Sequence, residues 1–76
     1  MKKIALDSYV IVSDGKVIAT SLSHDDVQII LYGTPKGQAH SIIHSRINFD
    51  NYEVQQAYDH SGEIKFQPVK VNLKFD

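Results

Sequence analysis

The chain has no cysteine, so no disulfide or thiolate metal centre can hold it together, and its stability must come from packing. That absence also agrees with a reducing compartment. Charge of one sign is lacking as well: a net charge of −1 gives no global attraction to nucleic acid or to an anionic membrane, and no strong acidic mimicry. No stretch approaches the roughly 20 apolar residues that cross a bilayer. There is no phosphate-cradling glycine loop and no nucleophile with an evident partner. With only four glycines and two prolines the chain carries no linker, low-complexity segment or internal repeat. These absences exclude most enzyme classes and leave a compact binding module as the expected type.

What is present fits one small domain spanning residues 1–76. A domain of this size buries only about 60% of the surface its unfolded chain exposes, so a partner subunit is expected to help, as a homodimer. Hydrophobic residues make up 42% and charged residues 22%, the balance of a folded globular chain. The opening MKKIALDSYVIV carries lysines before an apolar stretch, but Asp7 and Ser8 interrupt it and no small-residue cleavage site follows. It reads as a first strand, and the protein is expected in the cytoplasm.

In that strand Ile4, Leu6, Val10 and Val12 recur with a period of two, which marks their face for the core. Asp14-Gly15 between two β-branched runs is a strong hairpin signal, and Val17 to Ser21 returns as the second strand. Leu22 to Gly33 then reads as a helix. Ser23 is its N-cap, Asp26 completes a capping box, and Leu22 and Val27 form a hydrophobic staple. Val27, Ile30 and Leu31 make the buried stripe, and Gly33 supplies a left-handed C-cap.

Thr34-Pro35-Lys36-Gly37 reads as a turn. From Gln38 to Phe49 the chain alternates, with Ala39, Ser41, Ile43, Ser45, Ile47 and Phe49 on one parity, and is expected to form a long third strand. Asp50-Asn51 would turn it into a fourth strand over Tyr52, Val54, Gln56 and Tyr58. Asp59 to Gly62 turns again into a last strand, whose apolar parity changes at Pro68 between Ile64, Phe66 and Val69, Val71, Leu73, Phe75. Pro68 should therefore mark a bulge or break near a sheet edge. The expected architecture is α+β: an antiparallel β-sheet of about five strands with one short helix packed on a face, in the order β-β-α-β-β-β.

Candidate chemistry is sparse. His40 and His44 have the spacing of a metal pair on a helix, but along a strand they would stand about 13 Å apart, so no metal and no cofactor is expected. The serines have capping, turn and strand roles. Asp25 and Asp26 suit the first turn of a helix, where the dipole favours negative charge, and can also meet a basic partner. Arg46, Lys65, Lys70 and Lys74, with the two histidines, would form a basic stripe for nucleic acid if the third and last strands are neighbours. Four tyrosines, Tyr9, Tyr32, Tyr52 and Tyr58, exceed what so small a core can hide, and Tyr32 at the helix end is the one expected on the surface.

Asp7-Ser8-Tyr9, Asp14-Gly15-Lys16, Leu22-Ser23 and Leu31-Tyr32-Gly33 occur in an order that resembles the small uracil-DNA glycosylase inhibitors of Bacillus phages, over about the first fifty residues. That resemblance implies a dimeric, non-enzymatic protein whose helix gives aromatic and acidic contacts to the enzyme's DNA-binding groove. Tyr32 would be the aromatic contact and Asp25 or Asp26 the acidic one. Gln28 and Ile29 stand where the family shows an aromatic–acidic pair, and the segment from Asn51 has no counterpart there. If the chain is phage-encoded, it would act in the host cytoplasm. The expected function is thus a non-catalytic protein-binding inhibitor or modulator, with Asp25, Asp26, Gln28, Ile29 and Tyr32 in contact with uracil-DNA glycosylase or another protein. The alternative is a small β-rich nucleic-acid-binding or regulatory protein that uses Arg46, Lys65, Lys70 and Lys74.

Overall fold

A computed structural model describes residues 3–33 and 37–70. Over them the chain is α+β, with an antiparallel sheet of four strands and two helices. Strands β1 (Lys3–Ser13) and β2 (Lys16–Leu22) are followed by helices α1 (His24–Leu31) and α2 (Gln38–Arg46), then by β3 (Tyr52–His60) and β4 (Glu63–Val69). In space the strands lie β2-β1-β3-β4, so the first strand of the chain sits inside the sheet.

Local chemistry accounts for most boundaries. Asp14 and Gly15 adopt φ of 52° and 77°, and Ser61 and Gly62 adopt 58° and 83°. Both turns thus have the positive-φ pair whose twist matches that of the flanking strands. In α1 the Ser23 Oγ accepts from the Asp26 N–H and the Asp26 carboxylate accepts from the Ser23 N–H, each at 3.0 Å, which completes the capping box. Val27, Ile30 and Leu31 are all buried. Gly33 acts differently from the sequence expectation, since its φ is not left-handed. Its N–H donates to the carbonyls of Gln28 and Ile29, and a Cβ there would lie 3.0 Å from the Ile29 Cα, so close approach is what calls for glycine.

The main correction concerns residues 38–46, which form α2 rather than a third strand. Among the described residues there are therefore two helices and four strands, in the order β-β-α-α-β-β, where one helix and about five strands were expected. Ile43 and Ile47 are four apart, and as a helical pair they bring one side chain to the edge of the core and bury the other. Residues 48–51 are accordingly a helix exit rather than a hairpin: the Asn51 N–H donates to the Asn48 carbonyl at 2.9 Å, and the Asn48 side chain accepts from the Asp50 N–H at 3.0 Å. The exit is clamped to the first turn. Ser13 Oγ accepts from the Asn48 N–H at 2.8 Å and the Asp14 carboxylate accepts from the Asn48 side chain at 2.8 Å.

The core lies between the helices and one face of the sheet, with Ile11, Val27 and Ile30 fully buried. In β1 it is Tyr9 and Ile11 that face it, so the even-numbered set read as the core face lies on the other side, although Val10 is also buried there. Pro68 makes no bulge. The β3–β4 register runs unbroken from His60↔Glu63 to Val54↔Val69, so Ile64 and Phe66 project to one face and Val69 to the other. The edge position was read correctly, because β4 borders only β3. An edge strand accommodates a proline because only one of its sides needs ladder donors. The expected turn at Thr34–Lys36, the strand residues Val71, Leu73 and Phe75, and Lys74 lie outside the described residues. Among the described residues no helix is long and apolar enough to cross a membrane.

Candidate binding groove

Helix α1 packs on β1 and β2, and α2 packs on α1 and β2, so the helical layer is set toward one half of the sheet. Where the C-terminal end of α1 passes the start of β3 and the end of β4, a groove of about 670 Å³ opens. Leu31 and Tyr32 line it from α1, Tyr52, Glu53 and Val54 from β3, and Pro68, Val69 and Lys70 from the edge strand and its exit. Leu31 and Val54 are buried core residues, so the groove has a rigid apolar base. Glu53 and Lys70 are exposed and bring one charge of each sign to it.

Two tyrosines define its chemistry. The hydroxyls of Tyr32 and Tyr52 lie 3.4 Å apart, a long contact that is worth little stability by itself. The hydrogen bond to Tyr52, with partial burial and the neighbouring phenol, raises the Tyr32 pKa above its ordinary value. The Tyr32 hydroxyl therefore stays neutral at physiological pH and can donate or accept. Behind them the Tyr52 ring meets Phe49 edge-on with centroids 5.5 Å apart, and Phe49 meets His44 at 5.2 Å. This row of rings fixes the Tyr52 side of the groove. The shape and donors suit an extended segment with an apolar side chain.

A clamp between the helices fixes the other side. His40 Nε2–H donates to the Asp26 carboxylate at 3.0 Å, and His44 Nδ1–H donates to the Ile30 carbonyl at 2.5 Å. The spacing of four on α2 thus meets a spacing of four on α1. On a helix the two imidazoles do share a face, contrary to the strand geometry expected, yet each binds the neighbouring helix. Among the described residues no three His, Cys, Asp or Glu side chains gather as metal ligands.

Of the expected contact residues, Tyr32 lines the groove and is 37% exposed. Asp25 is exposed on the first turn, whereas Asp26 is occupied by Ser23 and His40, which hold its carboxyl below the ordinary range; the Ser23 bonds are the larger cause. Gln28 and Ile29 are half-buried in α1. Arg46 ends α2, while Lys65 is on β4 and Lys70 just past it, so these cations do not alternate along one sheet face. Lys74 is outside the described residues. The sequence reading missed Val54, Pro68 and Val69 as groove residues. Their signal was the proline in an otherwise strand-like run, which marks an accessible edge. No protein-family model matches the chain, and no curated protein or solved structure is significantly similar to it.

Proposed function

We propose that the protein is a non-catalytic binding module that blocks or modulates another protein, with the α1–β4 groove receiving an extended segment of that partner. The observation that carries this reading is the pairing of an apolar base, Leu31 and Val54, with two adjacent phenols, Tyr32 and Tyr52. Apolar area gives affinity in such a groove and a few placed polar groups give orientation. Tyr32 is its centre.

In its sharpest form the partner is a uracil-DNA glycosylase, which rests on the resemblance carried by Asp7-Ser8-Tyr9, Asp14-Gly15-Lys16, Leu22-Ser23 and Leu31-Tyr32-Gly33. An excision assay with excess protein tests that form: inhibition is expected, and undiminished excision removes it. The general form is tested by affinity capture with the intact protein and with Tyr32→Ala. A partner held by the former and lost by the latter is expected, with unchanged circular dichroism; a partner that both hold equally would place the contact elsewhere. Its affinity should change little with salt, whereas phosphate contacts would make it fall steeply. The accompanying homodimer is tested by sedimentation velocity, where a monomer at every concentration would remove it.

A further inference from the structure

The strand register fixes which residues share the face of the sheet turned away from the helices. Val17 of β2 stands opposite Val12 of β1, and Ile4 and Val10 of β1 stand opposite Asp59 and Gln55 of β3. Asp59 and Ala57 stand in turn opposite Ile64 and Phe66 of β4. Directly opposed side chains project to one side, so these lie together, across the sheet from Ile11 and Val54. Val10 and Ala57 are buried between their neighbours, while Ile4 at 57%, Val17 at 61%, Ile64 at 66% and Phe66 at 49% are exposed. Apolar side chains thus form a band from β2 to β4. Both helices pack on the opposite face.

An antiparallel strand with one wet face alternates apolar and polar residues, whereas β1 runs Tyr9-Val10-Ile11-Val12 without a polar side chain in its row of aliphatics. That is the pattern of a strand covered on both sides. Charge of both signs is kept off the middle of the band: Lys3 and Glu63 stand opposite His60, Lys16 opposite Ser13 and Lys65 opposite Tyr58, all on the helix side. The acids on the band's side, Glu53 and Asp59, are next to the two ends of β3. Glu53 borders the groove beside Lys70, and one carboxylate oxygen of Asp59 is already buried within the chain. From Val12 across Ala57 to Phe66 the band is uncharged.

We propose that this band is where two copies of the chain meet, their sheets packed back to back about a two-fold axis. The proposal rests on the homodimer of the preceding reading and assigns its surface. A second copy suits the band because an uncharged apolar centre with polar ends is self-complementary, as a two-fold contact requires. A net charge of −1 leaves little repulsion between copies. The four strands, spaced about 4.8 Å apart with about six residues each at roughly 3.4 Å, give the face a flat outline of about 400 Å² per copy. Side-chain relief adds to that outline, so two stacked copies bury on the order of the 1,000 Å² that a specific interface needs. Pairing through sheet edges is the competing route, and both edges resist it. β4 carries Pro68, while β2 has two register shifts and Ser21 at a φ of 56°. In the back-to-back dimer Tyr32 and Tyr52 face outward, so both grooves stay open.

Sedimentation velocity over a concentration series tests this on the intact protein and on Phe66→Lys, Ile64→Lys and Lys65→Glu, with circular dichroism to check folding. The intact protein is expected to dimerise, and Lys65→Glu, altered on the opposite face of the same strand, to dimerise equally well. Phe66→Lys and Ile64→Lys should each raise the dimer dissociation constant by about tenfold or more, since a two-fold contact loses the anchor twice. A dimer that both lysine variants leave intact, or that Lys65→Glu weakens as much as they do, overturns the assigned surface and leaves the homodimer standing. A monomer at every concentration removes surface and homodimer together, while the Tyr32→Ala capture experiment is unaffected. Should Phe66→Lys fail to fold, Ile64→Lys at the more exposed position decides alone.

Discussion

Asp26 is held from two directions, by the backbone and hydroxyl of Ser23 at the start of α1 and by His40 from α2. Because these contacts lower its pKa in the folded chain, its contribution to stability is complete above the ordinary carboxylate range and is lost as the pH falls through the folded value. Urea unfolding of Asp26→Asn should therefore show a loss of about 1 kcal/mol at neutral pH, the scale of a weakened cap, and a flatter response to acid than the parent chain. The Tyr32–Tyr52 pair makes a second prediction. The hydrogen bond is the first cause of the raised Tyr32 pKa, so Tyr52→Phe should lower the titration of Tyr32 toward the ordinary phenol value. Ultraviolet difference titration reads this, and an unchanged midpoint would show that the 3.4 Å contact is not made in solution.

Helix α2 shows what happens when an element lacks such end groups. Gly37 is its N-cap and makes no side-chain cap bond, and the first turn has no acidic residue. A Cβ at Gly37 would meet nothing within 4 Å, and its backbone is in the extended region that a capping residue adopts. Gly37→Asp should thus stabilise the chain by roughly 0.5 kcal/mol through capping and the helix dipole, measured as a higher urea midpoint. The same weakness explains why α2 was illegible in the sequence. Gln38 to Arg46 has no side-chain cap signal, and its isoleucines prefer strands as much as helices, so alternation was as good a description as helical periodicity. The pairs His40–His44 and Ile43–Ile47 held the contrary signal, but their partners, Asp26, Ile30 and the core, are distant in sequence. By contrast, α1 and the Asp14-Gly15 turn were readable because their determinants lie within four residues. Of the groove, only Tyr32 was legible, since the start of β3 and the end of β4 come beside the end of α1 through tertiary packing that no local pattern encodes.

At the scale of the molecule, one layer of helices on one layer of sheet leaves a core that depends on few residues. Ile11, Val27 and Ile30 are its fully buried large side chains, contributed by the inner strand and α1. Ile11→Ala should cost about 2–5 kcal/mol, the range for a large-to-small change in a packed interior, and calorimetry should show a large drop in Tm. An equal change at Ile64 should be nearly neutral to folding, because that side chain is 66% exposed. That contrast separates residues that hold the domain together from those that do not.

The inner position of β1 has a kinetic consequence. Its hairpin with β2 is local, but its other neighbour, β3, begins at Tyr52, beyond both helices. A nascent chain that has emerged only through α2 therefore has β1 as an unprotected border, with its amides unsatisfied on that side and the central pairing still to come. Closing so long a loop before the sheet can lock makes assembly slow relative to helix formation and leaves it to a late stage of synthesis.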